Sequence, residues 1–175
     1  MPIASSLLNK PRLVEKLRKF YNYVQKNDGK VGIKTRGIDL NFNNACNLRC
    51  KYCFTNSPKG DHVKEYLSAK VIGNLADQAD ELGYFEFDLQ GGELTLRPDL
   101  LFDTLEAIRP ERFYLYLTTN GYYVDEKMAK KLAKYQVSRV SVSIDSMDEK
   151  IHDEIRGRKE SWRRAIEGLK HVQNA

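Results

Sequence analysis

The sequence predicts an α/β fold in which a parallel sheet is built from repeated strand–helix units. Three observations carry that reading. A strand-then-helix pattern occurs four times after residue 36, strand starts beyond the first unit fall at similar spacing, and an amphipathic helix precedes the series. Such a βα repeat implies parallel strands joined by right-handed crossovers.

The elements follow in order. Residues 12–26 read as a helix: Pro11 suits a first turn, and Leu13, Val14, Leu17, Phe20, Tyr21 and Val24 recur at spacings of three and four. Asn27, Asp28 and Gly29 end it. The strands are expected over 38–43, 84–90, 113–118 and 139–145, and the helices over 66–82, 99–108, 124–135 and 160–173, with Trp162 packing the last. Each strand alternates. Ile38, Leu40 and Phe42 alternate with Asp39, Asn41 and Asn43; Phe85, Phe87 and Leu89 with Glu86, Asp88 and Gln90; Phe113, Leu115 and Leu117 with Tyr114, Tyr116 and Thr118; Val140, Val142 and Ile144 with Ser141, Ser143 and Asp145. One face thus packs under helices. The other carries carboxylates, amides and hydroxyls that are costly to bury dry, as a sheet lining a wet or ligand-filled cavity requires. Four units do not close a barrel, and an apolar fourth strand at an open edge suggests further chain or a partner beyond it.

Composition fits a globular fold, at 41% hydrophobic and 30% charged residues. No run has the length of a transmembrane helix, and residues 1–9 lack the form of a secretory signal. Nine Lys or Arg residues against two acids between Lys10 and Arg36 give that stretch +7, leaving −2 for the rest of a chain of formal charge +5. This basic segment reads first as a solvated helix face, and otherwise as a surface for an acidic peptide or nucleic acid. No aromatic platform supports the nucleic-acid reading.

All three cysteines, Cys46, Cys50 and Cys53, fall just past the first strand, at the end of a βα sheet where functional loops gather. An odd, tightly spaced set argues for metal binding in a reducing compartment, hence a cytoplasmic protein, rather than for disulfides. Two centres fit. A structural zinc site needs a fourth ligand, for which His62 is the nearest histidine. A cubane iron–sulfur cluster held by three thiolates leaves one iron open. Lys51 and Arg49 flank the cysteines and are candidates for favouring thiolates. Gln90-Gly91-Gly92-Glu93-Leu94 follows the second strand, with glycines that let the backbone approach a ligand and a carboxylate that suits an ammonium group. Thr118-Thr119-Asn120-Gly121 ends the third strand as a natural turn.

The Cys-x3-Cys-x2-Cys spacing, with Tyr52 before the last cysteine, resembles the signature of the radical S-adenosylmethionine (SAM) superfamily. That resemblance implies a partial TIM-like (β/α)6 barrel. This chain would cover its first four βα units (residues 36–175, truncated at the carboxyl end), after a basic N-terminal helical extension (residues 1–35). It implies a [4Fe–4S] cluster on Cys46, Cys50 and Cys53. SAM would chelate the open iron and be split, with an electron from an external donor, to a 5′-deoxyadenosyl radical that abstracts hydrogen. Gly91, Gly92 and Glu93 resemble the family's Gly-Gly-Glu motif for the methionyl amine, although Leu94 stands where proline is common. Tyr52 would lie beside the adenine through its backbone, Asn120 would face the cofactor, and Ser143 resembles the serine that contacts SAM. Arg156, in Ile151-His-Asp-Glu-Ile-Arg-Gly157, is the candidate for the SAM carboxylate because guanidinium offers a donor fork. Asp145 is a candidate for substrate contact, and His152 is read as structural. The style resembles peptide- and protein-modifying members, with a small metabolite or nucleotide as the alternative substrate and a zinc-stabilised binding module as the non-enzymatic one.

Overall fold

The structure, a computed structural model, describes residues 9–31, 36–41, 43–57 and 66–175. The elements run α1 (Pro11–Lys26), β1 (Gly37–Asn41), α2 (Ala69–Glu81), β2 (Glu86–Gln90), α3 (Pro98–Ile108), β3 (Tyr114–Thr119), α4 (Glu126–Lys134), β4 (Arg139–Val142), α5 (Glu149–Arg156) and α6 (Ser161–Asn174), with short 3-10 turns at Leu94–Leu96 and Pro110–Arg112. The four strands form one parallel sheet in sequential order.

Strand alternation places the core on one side. Leu40, Phe87, Leu89, Leu115 and Leu117 are buried against Ile72 and Ala76 of α2, Leu101, Leu105 and Ile108 of α3, and Leu132 of α4. The other face carries a polar row in register, Asp39–Asp88–Tyr116–Arg139. Burial pushes the Asp88 carboxyl up, and the like charges of Asp39 and Glu86 add to that.

The ends of the first and fourth strands, and one further helix, depart from the sequence expectation. The first strand ends at Asn41; Phe42 lies outside the described residues, and Asn43 makes an isolated antiparallel bridge to Tyr66. The fourth strand ends at Val142, and the chain then turns toward α5. Helix α5 itself was not expected. Asp148 caps it by accepting from Lys150 N and Ile151 N, and Gly157 closes it in the left-handed region.

Helix α1 seals the amino-terminal edge of the sheet. The Lys10 ammonium, fully buried, donates to Phe113 O (2.9 Å), Gln136 O (2.7 Å) and Ser138 Oγ (3.1 Å). Lys16 donates to Tyr84 O and Arg112 O, both at 2.9 Å, and pairs with Asp80 at 2.6 Å. The solvated-face reading therefore describes Lys19 and Arg12, which are exposed, but not Lys10 and Lys16. Those two satisfy carbonyls at the starts of strands, where water has been excluded.

Burial lowers the Lys10 pKa from 10.5 to about 8, Glu111 opposing weakly. A neutral amine remains satisfied there, donating to the two carbonyls and accepting from the Ser138 hydroxyl. The folded chain releases this proton near pH 8 and the unfolded chain near 10.5, so between those values the unfolded state binds more protons. Stability from this group is expected to climb with pH through that window by up to ~1.4 kcal/mol per unit. Urea unfolding at stepped pH checks the slope, which Lys10→Met should flatten.

Candidate functional site

The loops at the carboxyl ends of the four strands enclose a cavity of about 260 Å³. Eleven of the candidate residues named from the sequence line it: Cys46, Cys50, Tyr52 and Cys53 after β1, Gly91, Gly92 and Glu93 after β2, Asn120 after β3, Ser143 and Asp145 after β4, and Arg156 at the end of α5.

The cysteine loop is held from two sides by its own backbone. On one side, Gly92 N donates to Asn43 O at 2.9 Å and Glu93 N to Ala45 O at 2.7 Å, extending the β1–β2 ladder past the strands. A Cβ on Gly92 would stand 2.0 Å from Ala45 O, so this approach needs glycine. On the other side, Arg49 N donates to Arg156 O (2.9 Å) and Lys51 N to Ile155 O (3.0 Å). Gly157, at φ +67°, passes so near Arg49 O that a Cβ would lie 2.5 Å away. Arg158 completes the clamp, donating to Asn47 O at 3.1 Å while its guanidinium lies 4.1 Å from the Tyr122 ring centre.

Glu93 is buried at the join of β2 and β3. Its Oε1 accepts from Thr95 N (2.9 Å), the Thr95 hydroxyl (2.5 Å) and the Thr119 hydroxyl (2.6 Å), and its Oε2 accepts from Asn120 N (2.7 Å). Asn120 in turn donates through Nδ2 to Asn47 Oδ1 at 2.9 Å and accepts from Tyr122 N. The carboxylate that the sequence offers to an ammonium ligand thus already takes four donors of its own chain. Leu94 is fully buried beside it and opens the 3-10 turn. Asn47 and Arg158 were not visible as site residues in the sequence, because their partners are distant backbone and amide groups, and Thr95 was not visible because an ordinary threonine two residues past Glu93 carries no motif.

Each sulfur has a hydrogen-bond partner of its own. Leu48 N donates to Cys46 Sγ at 3.4 Å, the Thr55 hydroxyl lies 3.2 Å from Cys53 Sγ, and Arg156 Nη1 lies 3.8 Å from Cys50 Sγ. Burial pushes the Cys46 thiol up. Burial opposes ionisation of Cys53 as well, but hydrogen bonds from Thr55 and Ser57 outweigh it and hold that thiol below its ordinary value. Neither flanking cation reaches a sulfur: Lys51 pairs with Glu154 at 2.6 Å, and Arg49 Nη1 donates to Cys46 O and Leu48 O.

Arg156 holds Asp145 edge-on, Nε to Oδ2 at 2.5 Å and Nη2 to Oδ1 at 2.8 Å. Burial works against the Asp145 charge, but Arg156 and the Tyr52 hydroxyl prevail and keep its pKa low. His152, buried on α5, accepts from Asp145 N through Nδ1 at 3.2 Å, which places its own proton on Nε2; burial lowers its pKa. The structural reading of His152 thereby gains a partner, and Asp145 meets Arg156 and Tyr52 rather than open space.

The donor set suits a cluster. Three soft sulfurs face one cavity, and the chain has no other cysteine. Among the described residues no three His, Cys, Asp or Glu side chains are grouped to hold a metal ion. His62 lies outside the described residues, and among them no helix is long and apolar enough to cross a membrane.

The Radical SAM superfamily model matches residues 40–175. A probable GTP 3′,8-cyclase of Methanocaldococcus jannaschii is 32% identical over 127 residues, covering 72% of this chain and 42% of that protein. Mycofactocin maturase MftC of Mycolicibacterium smegmatis is 29% identical over 131 residues, covering 75% of this chain and 32% of that protein. Among solved structures, Streptococcus suis SuiB bound to precursor peptide SuiA aligns with a TM-score of 0.67 at 22% identity, covering 90% of this chain and 34% of SuiB. SuiB bound to S-adenosylmethionine aligns at 0.64 and 22%, covering 90% and 35%. The chain spans less than half the length of each of these relatives. The likeness to SuiB and the parallel four-stranded sheet flanked by helices are consistent with the partial (β/α)6 barrel expected from the sequence. With the matched region running from β1 through α6 and taking in every residue of the cavity, the chain belongs to the radical SAM superfamily.

Proposed function

We propose that this chain is the SAM-cleaving core of a radical enzyme that modifies a peptide or protein. The observation that carries it is the convergence of three cysteines, the Gly-Gly-Glu turn and Arg156 on one cavity at the carboxyl end of a parallel sheet. Cys46, Cys50 and Cys53 would hold a [4Fe–4S] cluster and leave one iron without a side-chain ligand. When bound, the reduced cluster and SAM supply a 5′-deoxyadenosyl radical that abstracts hydrogen from substrate, the electron coming from an external donor.

The chain's own groups then bind, orient and exclude. Gly91 and Gly92 bring bare backbone to the cavity, and Glu93 adds its carboxylate toward the methionyl amine while fixing the backbone of Asn120. Asn120 and Ser143 offer polar groups along the wall, and the Tyr52 backbone would lie beside the adenine. Arg156 has five N–H groups, of which Asp145 takes two and Cys50 one, leaving two for the SAM carboxylate. Asp145 positions that guanidinium and, lining the cavity, is the side chain that would contact substrate. No protein group beyond this assembly is assigned a proton or electron transfer. Thiol-dependent chemistry of this kind belongs in a reducing compartment, the cytoplasm.

The likeness to SuiB, solved with a precursor peptide, and to mycofactocin maturase supports a peptide substrate. The 32% identity to a probable GTP 3′,8-cyclase favours a second reading, in which the substrate is a nucleotide. Anaerobic reconstitution is expected to give brown protein with iron and acid-labile sulfide, lost in Cys50→Ala. Adding SAM and reductant should release 5′-deoxyadenosine, with deuterium arriving from a labelled peptide; deuterium arriving from a labelled nucleotide instead selects the second reading. Zinc held without sulfide would return the chain to the binding-module class.

A further inference from the structure

Cys50 differs from its two neighbours in what meets its sulfur. Cys46 accepts from a neutral backbone N–H and Cys53 pairs with a neutral hydroxyl, whereas Cys50 faces a guanidinium, with Arg156 Nη1 at 3.8 Å. That guanidinium is not free to turn away. Two of its donors are fixed on Asp145, and its side chain is only 12% exposed. The Asp145 backbone is pinned by His152 Nδ1, and the Arg156 and Ile155 carbonyls receive the backbone N–H groups of the cysteine loop on either side of Cys50. The result is a rigid relay from α5 to one sulfur.

We infer that Arg156, positioned by Asp145, raises the reduction potential of the cluster by donating to the Cys50 sulfur. The inference rests on the proposed cluster reading and adds to it a role that is separate from binding SAM. Reduction adds one negative charge to the cluster. A partly buried cation donating to a ligand sulfur stabilises that added charge more than a neutral donor does, and hydrogen bonds to sulfur are among the factors that set such potentials. Lys51, next in sequence to Cys50, cannot substitute. It is 59% exposed and paired with Glu154, so solvent screens it.

The test is an EPR-monitored redox titration of the anaerobically reconstituted protein without SAM, so that SAM binding does not enter. Arg156→Gln is expected to shift the reduced-to-oxidised ratio at fixed potential about tenfold toward oxidised, equivalent to ~59 mV for a one-electron couple. Arg156→Lys, which keeps the charge but cannot hold Asp145 through a fork, should shift it less in the same direction. Lys51→Gln should move it less than twofold. A wild-type potential in both Arg156 variants overturns the inference, as does an equal shift in Lys51→Gln, which would make the effect one of overall charge. If Arg156→Gln does not load, Arg156→Lys decides alone. Absence of iron and sulfide in the wild type would instead sink the cluster reading beneath it.

Discussion

Gly92→Ala is expected to destabilise the protein by about 3 kcal/mol or more and to leave it unable to retain iron after reconstitution. The added methyl group would sit 2.0 Å from Ala45 O and 2.7 Å from the Asn44 carbonyl carbon, both backbone atoms that no rotamer change can move. Relief requires the turn after β2 to back away from the cysteine loop, which breaks the Gly92 N to Asn43 O and Glu93 N to Ala45 O hydrogen bonds. Gly73→Ala on α2 provides the control. Its new methyl would meet Ala107 O at 3.6 Å and Ala107 Cβ at 3.9 Å, both ordinary contacts, so the better helix former should stabilise by about 0.5–1 kcal/mol. Denaturant unfolding of the two variants, with iron counted after gel filtration, separates a specific clash from a general intolerance of substitution. Equal stability and equal iron in Gly92→Ala and wild type would mean that the two loops are not joined as described.

Glu93→Gln is expected to cost about 1–3 kcal/mol in the absence of any ligand, the range for leaving buried donors unsatisfied. The substitution preserves shape and alters only donor pattern. A glutamine oxygen placed at Oε1 still serves Thr95 and Thr119, but its amide nitrogen then confronts Asn120 N, two donors at the present 2.7 Å. Reversing the amide puts the same conflict at Thr95 N. Glu93→Ala removes every acceptor at once and should cost more. Thermal or urea unfolding of SAM-free protein is the readout, because a carboxylate that served only a ligand would leave it unchanged.

The sheet was legible in the sequence because burial on one face imposes a period of two, and Phe87, Leu89, Leu115 and Leu117 keep that period while Glu86, Asp88, Tyr114 and Tyr116 occupy the other side. The cysteines and the Gly-Gly-Glu turn were legible because chemistry restricts those residue types. What joins them was not. The contacts between Arg49 and Arg156, and between Lys51 and Ile155, are backbone to backbone, and any side chain would serve. Helix α5 carries only eight residues, most of them charged, so its caps at Asp148 and Gly157 were stronger signals than its apolar pattern. The inward turn of Lys10 and Lys16 was hidden for a related reason. Their acceptors are mostly carbonyls, which leave no trace in composition, although both lie three residues from the buried Leu13 and so share its face.

Those two lysines also constrain the order in which the protein assembles. The acceptors of Lys10 lie 103, 126 and 128 residues downstream. During synthesis the first helix leaves the ribosome long before they exist, so its Lys10 end completes its hydrogen bonds only once the third strand and the start of the fourth have been laid down. It is therefore a late latch in maturation: a chain arrested before Phe113 would offer the Lys10 ammonium none of its three acceptors.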